Sequence, residues 1–268
     1  TRESDPTGET VLKPVNFGQG LPRALALRGV PITSVSNLEN YGVLSTVPGV
    51  SAEQDRTQIL DRFARMYAPA IGTGATMDYL GQTGRDALKG ADILKVAPEK
   101  YSSTVEYAET PIAKYLRDVA RVYLADLGTQ VFYTSHAPFD THFNQMPMHQ
   151  KLWTDVSNAV SDFFDDLAEH DAGDNLIMVM FTEFGRRVRD NGTGTDHGAA
   201  GGAFVIGNNV KGGMYGTYPS LKAEDLNQGD LDPNYDFRGA YTTLVEDWMG
   251  IDPKPIVNGN FEKFSFIK

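Results

Sequence analysis

An α/β fold with a mostly parallel sheet flanked by helices is what this 268-residue sequence predicts, on three observations. Segments of helical and strand character follow one another in the order helix, strand, helix, strand, strand, helix. Leu176–Phe181 is a continuous apolar run of strand length, as expected of a central parallel strand covered on both faces. The length suits one large α/β domain or two small ones, each able to bury a core.

The elements are justified in chain order. Residues 1–50 are rich in Gly, Pro and polar residues, with short apolar runs at Ala24–Leu27 and Pro31–Val35, and read as loops and short strands draped over the rest. The polar start, Thr1 to Gly8, has no initiator Met and no signal-peptide core. It reads as the beginning of a processed or trimmed product, or as an arbitrary boundary. Ser51 to Gln54 could cap a helix to about Tyr67, with Ile59, Leu60, Phe63 and Met66 at helical spacing. Weaker periodicity runs from Ile71 to Gly90 through Met77, Leu80 and Leu88. Thr110-Pro111 is a helix start, a side-chain cap followed by a residue whose missing N–H loses nothing there. Ile112, Leu116, Val119 and Val122 then share a face, and Gly128 supplies the stop. Gln130–Thr134 reads as a strand, and a long helix follows from about Met148 to Glu169. Beyond the apolar run come a short strand at Ala203–Ile206 and a last helix at Phe237–Met249, ended by Gly250.

Composition excludes several function classes. Lys and Arg number 24 against 35 Asp and Glu, a net charge of −11 with an isoelectric point near 4.9. That balance argues against binding nucleic acid or an anionic membrane surface, and no apolar run approaches the length of a membrane span. The absence of Cys removes disulfides, thiolate metal sites and Cys nucleophiles. Neither a Gly-x-Ser-x-Gly elbow nor a P-loop is present.

Ligands of open parallel sheets collect beyond the carboxyl ends of the strands. After Gln130–Thr134 comes a loop with Asp140 and His142. After Leu176–Phe181 comes Glu183, then Arg186 and Arg187, and then a Gly-rich loop holding Asp196 and His197. Imidazole and carboxylate together suit Zn²⁺, Mn²⁺ or Fe²⁺. Each piece also has a plainer explanation. Asp140-x-His142 could be a turn beside a hydrogen-bonded His, Glu183 could pair with Arg186 or Arg187, and the Gly-rich loop could be a hairpin. His149 reads as a residue near a helix start or a further ligand, and His170 as a helix C-terminal histidine favoured by the dipole. The acids of Gly229–Asp236 could hold Ca²⁺ or form a capping turn.

Phe139-Asp140-Thr141-His142-Phe143-Asn144-Gln145, Phe181-Thr182-Glu183-Phe184-Gly185-Arg186, Thr195-Asp196-His197-Gly198, Val210-Lys211-Gly212-Gly213 and Asp236-Phe237-Arg238 occur in one order. As a set they resemble the bacterial domain-of-unknown-function family 1501, a sulfatase-like relative of the alkaline phosphatase superfamily. The resemblance implies an alkaline-phosphatase/sulfatase-like fold, with residues 1–268 a single domain, the C-terminal two-thirds of the family domain, behind a loop-rich lead-in at 1–50. It implies an exported, periplasmic or extracellular protein, often using a twin-arginine signal. The implied activity is metal-dependent hydrolysis of small sulfate or phosphate esters. Asp140 and His142 would ligate one divalent ion (Zn, Mn or Ca), with Glu183, Asp196 and His197 completing that site or a second. Arg186 would be catalytic, steadying an anionic oxygen. Glu183-Phe184 stands where better-known members carry an Asp-His pair. The superfamily's further Asp ligand and its Ser or Thr nucleophile belong to an N-terminal part not found in this sequence. A companion N-terminal fragment or a homo-oligomer is therefore expected. The alternative is a non-catalytic exported binding or surface-associated protein that keeps the fold.

Overall fold

A computed structural model of the chain describes residues 9–26, 30, 32–41 and 52–268. The strand and helix order is β1 (Pro14–Phe17), β2 (Thr33–Val35), α1 (Ala52–Tyr67), α2 (Ala75–Leu94), α3 (Val96–Lys100), α4 (Pro111–Leu124), β3 (Val131–Thr134), α5 (Gln145–Glu169), β4 (Met178–Met180), β5 (Gly185–Asp190), β6 (Thr195–Gly198), β7 (Phe204–Ile206), α6 (Phe237–Thr243) and α7 (Lys254–Val257). The chain divides into two compact units. One holds the described residues up to His136 together with Asp155–His170, and the other holds Ala137–Thr154 and Asp171–Lys268.

The first unit is α/β, with a three-stranded parallel sheet in the order β2-β1-β3. Its central strand comes from the lead-in. Pro14 opens β1, where its lack of an N–H is tolerated, and Val15 and Phe17 are fully buried. The buried Asn16 side chain donates to the Ser34 hydroxyl at 2.7 Å and to the Gly20 carbonyl at 2.9 Å. α4 packs on β1 and β3, presenting the periodic face Ile112, Leu116, Val119 and Val122 expected of it. Thr110 caps it, accepting from the Ala113 N–H at 3.4 Å. Fully buried apolar side chains of this size each contribute about 1.5–3 kcal/mol. The α1, α4, β3 and β7 segments lie close to their predicted places. α5 starts three residues early, at Gln145, behind Asn144 in the left-handed region (φ 50°). The Ser51 end of the expected α1 cap lies outside the described residues.

The second unit corrects the expectations for the apolar run and the final helix, and takes the hairpin alternative for the Gly-rich stretch. The apolar run 176–181 is not a central parallel strand. Only Met178–Met180 forms β4, paired antiparallel with β7 and half-buried. An apolar run shows that a strand is buried but not what direction its neighbour takes, and here the returning segment 204–206 supplies that neighbour. The Gly-rich stretch is a hairpin, with β5 and β6 antiparallel from Gly185–Gly198 to Asp190–Thr195. The final helix is also divided: α6 ends at Thr243 and one π-helical turn, Leu244–Trp248, continues it before Gly250 (φ 65°). Asp236 caps α6, and Asp230 accepts from the Ala199 and Leu231 N–H groups, so these acids act as turn and cap residues. Among the described residues no helix is long and apolar enough to cross a membrane.

Candidate metal centre

The loop from Ala137 to Asn144, between β3 and α5, carries Asp140 and His142, and β6 carries Asp196 and His197. Asp196 and His197 are neighbours on β6, and both reach the His142 ring in different roles. Both imidazole Nε2 atoms converge on one carboxylate oxygen, Asp140 Oδ1, at 2.9 Å from His142 and 2.7 Å from His197. One donor atom from each of Asp140, His142 and His197 lies within 4.8 Å of the others, and all three residues are exposed. The hydrogen bond from His197 holds the Asp140 carboxyl below its ordinary value, with the charges of His197, His142 and Arg186 adding to it.

Asp196 stands behind this trio. Its Oδ1 is 3.3 Å from His142 Nδ1 and accepts from the Asn191 amide at 3.3 Å, contacts that lower its carboxyl as well. A carboxylate on the far ring nitrogen orients the ring and, with a metal bound, would favour the tautomer in which Nε2 is the ligand atom. Asn191 also donates to the His142 carbonyl at 3.0 Å and accepts from the Gly194 N–H at 2.9 Å. Gly194 allows that approach, since a Cβ there would lie 2.5 Å from the His142 carbonyl group.

A stack of rings holds the imidazoles. Phe184 lies parallel to His197 at 4.0 Å (8° between planes), and His197 stacks on His142 at 4.9 Å. The Arg186 guanidinium sits 4.9 Å from the Phe184 ring. Arg186 is only 18% exposed, and its fork is occupied. Nη1 donates to the Thr195 carbonyl and Nη2 to the Phe139 carbonyl, both at 2.7 Å, with Asp140 Oδ1 3.5 Å away. It therefore staples the Asp140 loop to β6. Beneath, the buried Thr141 bonds His149 Nε2 at 2.8 Å, and Gln145 accepts from the Thr195 hydroxyl at 3.0 Å.

Of the residues singled out in the sequence, Asp140, His142 and His197 come together, Asp196 supports them from outside, and Arg186 braces the loop. Glu183 does not join the cluster. It is exposed and, among the described residues, forms no ion pair with Arg186 or Arg187. His149 is a hydrogen-bond partner of Thr141 and lies outside the trio. Gln145 and Phe184 stand within the sequence motifs with no role assigned and Asn191 is not singled out, because a stacking Phe or a bridging amide carries no pattern of its own. Two imidazoles and a carboxylate with coordination positions left open fit a divalent transition ion.

Comparison with curated proteins and with solved structures finds no match. Residues 89–254, well over half of the chain and including every residue of this site, match the family model described as Protein of unknown function (DUF1501). The chain belongs to the DUF1501 family.

Proposed function

We propose that this is a sulfatase-like protein of the alkaline phosphatase superfamily, exported to the periplasm or cell exterior, where it hydrolyses small sulfate or phosphate esters at a site holding one divalent ion. The observation that supports this reading is the convergence of His142 and His197 on Asp140 Oδ1. A bound divalent ion supplies Lewis-acid polarisation of the ester oxygen. The chain's own part is to hold both imidazoles with Nε2 turned toward Asp140, through Asp196 on His142 and the Phe184 stack on His197. Two nitrogen donors of three favour Zn²⁺ or Mn²⁺ over Ca²⁺, which takes oxygen ligands. The site's exposure suits a substrate that enters from solvent. Export rests on the family resemblance alone.

A second reading is a non-catalytic exported binding protein that keeps one structural ion, and Arg186 is the observation that favours it. An anionic ester needs cationic donors, and this guanidinium directs two of its N–H groups to backbone carbonyls. The test is elemental analysis of the purified protein, repeated on His142→Ala and His197→Ala, then a screen of nitrophenyl sulfate and phosphate. One equivalent of transition metal in the wild type, lost in both variants and accompanied by ester turnover, is the expected result. Metal without turnover selects the binding protein. No metal after incubation with Zn²⁺ and Mn²⁺ rejects both.

A further inference from the structure

In the first unit, the irregular segment 101–107 between α3 and α4 is held by side chains from the last turn of α5. The Tyr101 and Tyr107 hydroxyls both donate to Asp166 Oδ2, at 2.6 and 2.8 Å. Glu169 accepts from the Thr104 N–H at 3.0–3.1 Å and from the Thr104 and Ser103 hydroxyls at 2.9 and 3.2 Å. His170 follows the helix directly. Its Nδ1 is 2.8 Å from the Asp166 carbonyl oxygen and its Nε2 is 2.8 Å from the Ser102 carbonyl oxygen.

Those two distances fix the state of the ring. A carbonyl oxygen only accepts, and a neutral imidazole has a single N–H, so both contacts are hydrogen bonds only when both nitrogens are protonated. The surroundings agree. Asp166 is fully buried, and its Oδ1, which has no hydrogen-bond partner among the described residues, lies 3.4 Å from His170 Nδ1, so the imidazolium is the countercharge of a buried carboxylate. A cation at a helix C-terminus is also favoured by the aligned peptide dipoles. We propose that His170 is carried as the imidazolium and pins the segment 101–107 to α5, so that its deprotonation releases the Ser102 end: a pH-operated clasp independent of the metal site.

The groups facing His170 are Asp166 and Glu169 of its own helix and, from the segment packed on it, the Tyr101 ring at 6.3 Å, over which Arg121 of α4 also lies at 5.3 Å from the centroid. The hydrogen bond to the Asp166 carbonyl, opposed by partial burial, raises the His170 pKa above its ordinary value. The native value is thus higher than the unfolded one near 6.5, and the stabilisation is complete below about pH 6.5 and lost as pH rises through the native value. On loss of the proton one lone pair faces a carbonyl at 2.8 Å and that contact must open. The Nδ1 contact lies within a single helical turn, whereas the Nε2 contact joins two segments and is exposed, so the latter yields. The tyrosine bonds to Asp166 need no His170 proton, whereas Glu169 holds Ser103 and Thr104, the two residues directly after Ser102, so the release spreads from the Ser102 carbonyl to the Thr104 amide.

The test is a pH titration of the whole chain labelled with ¹⁵N-histidine, following the His170 ring nitrogens (assigned by their loss in His170→Gln) and the exchange of the Thr104 amide. The expected result is an imidazolium at pH 6.5, a midpoint above that value, and a loss of Thr104 protection of about tenfold beyond intrinsic base catalysis across the same midpoint. A neutral single tautomer at pH 6.5, or a Thr104 amide indifferent to the transition, overturns the proposal. The wild-type titration decides even where His170→Gln does not fold, since the ring shifts themselves distinguish imidazolium from imidazole.

Discussion

Asp196 and Asp140 are the same residue type a few ångströms from the same histidine, yet they meet opposite nitrogens of its ring. Asp140 Oδ1 takes His142 Nε2 at 2.9 Å, and Asp196 takes Nδ1 at 3.3 Å. Replacing Asp196 by Asn keeps the shape and removes the charge that favours the Nδ1–H tautomer, so metal affinity should fall about tenfold to a hundredfold while binding persists. Competition with a chromophoric chelator measures this, and a complete loss of binding would make Asp196 a direct ligand instead. At this scale the sequence was informative through joint placement: each His or acid alone had a plainer use, but together they fell beyond two strand ends and in one Gly-rich loop. Arg186 was legible as important but not in its role. A guanidinium that presents itself to an anion and one that clasps two carbonyls have the same letter, and only the 2.7 Å contacts to Phe139 and Thr195 separate them.

Among elements, helices were easier to read than strands. α4 declared itself through a cap, a proline and a single apolar face, all of which are local. β1 declared almost nothing. It is four residues long, begins with Pro14 and carries Asn16 in its middle, yet it is the centre of the parallel sheet. Its polar residue is tolerable only because Ser34, brought by β2, and Gly20, in the bend just beyond β1, satisfy it. Phe17→Ala should therefore cost about 3–5 kcal/mol, the usual range for emptying a buried Phe site. Urea denaturation followed by far-ultraviolet circular dichroism measures it, and a loss below about 1 kcal/mol would place β1 outside the cooperative core. β4 errs in the opposite sense. Six apolar letters suggested a long interior strand, but half-buried positions and one antiparallel neighbour make it a short one.

The molecule as a whole carries a net charge of −11, and the trio of Asp140, His142 and His197 lies within the second unit. Fold class followed from the alternation of elements, whereas the division into two compact units has no counterpart in composition or linker signals, since α5 runs through the boundary without a break. The exposure of the two stacked imidazoles has a practical consequence for handling the protein. The other three of its five histidines are engaged: His136 has its Nε2 buried, His149 is bonded to Thr141, and His170 is held at both nitrogens. Imidazole pairs bind Cu²⁺ and Ni²⁺ strongly. The untagged protein should be retained on a copper- or nickel-charged chelating resin and elute with imidazole, and His197→Ala should pass through. A purification tag is thus already written into its surface, and any trace nickel found in material prepared on such a resin is a contaminant before it is a cofactor.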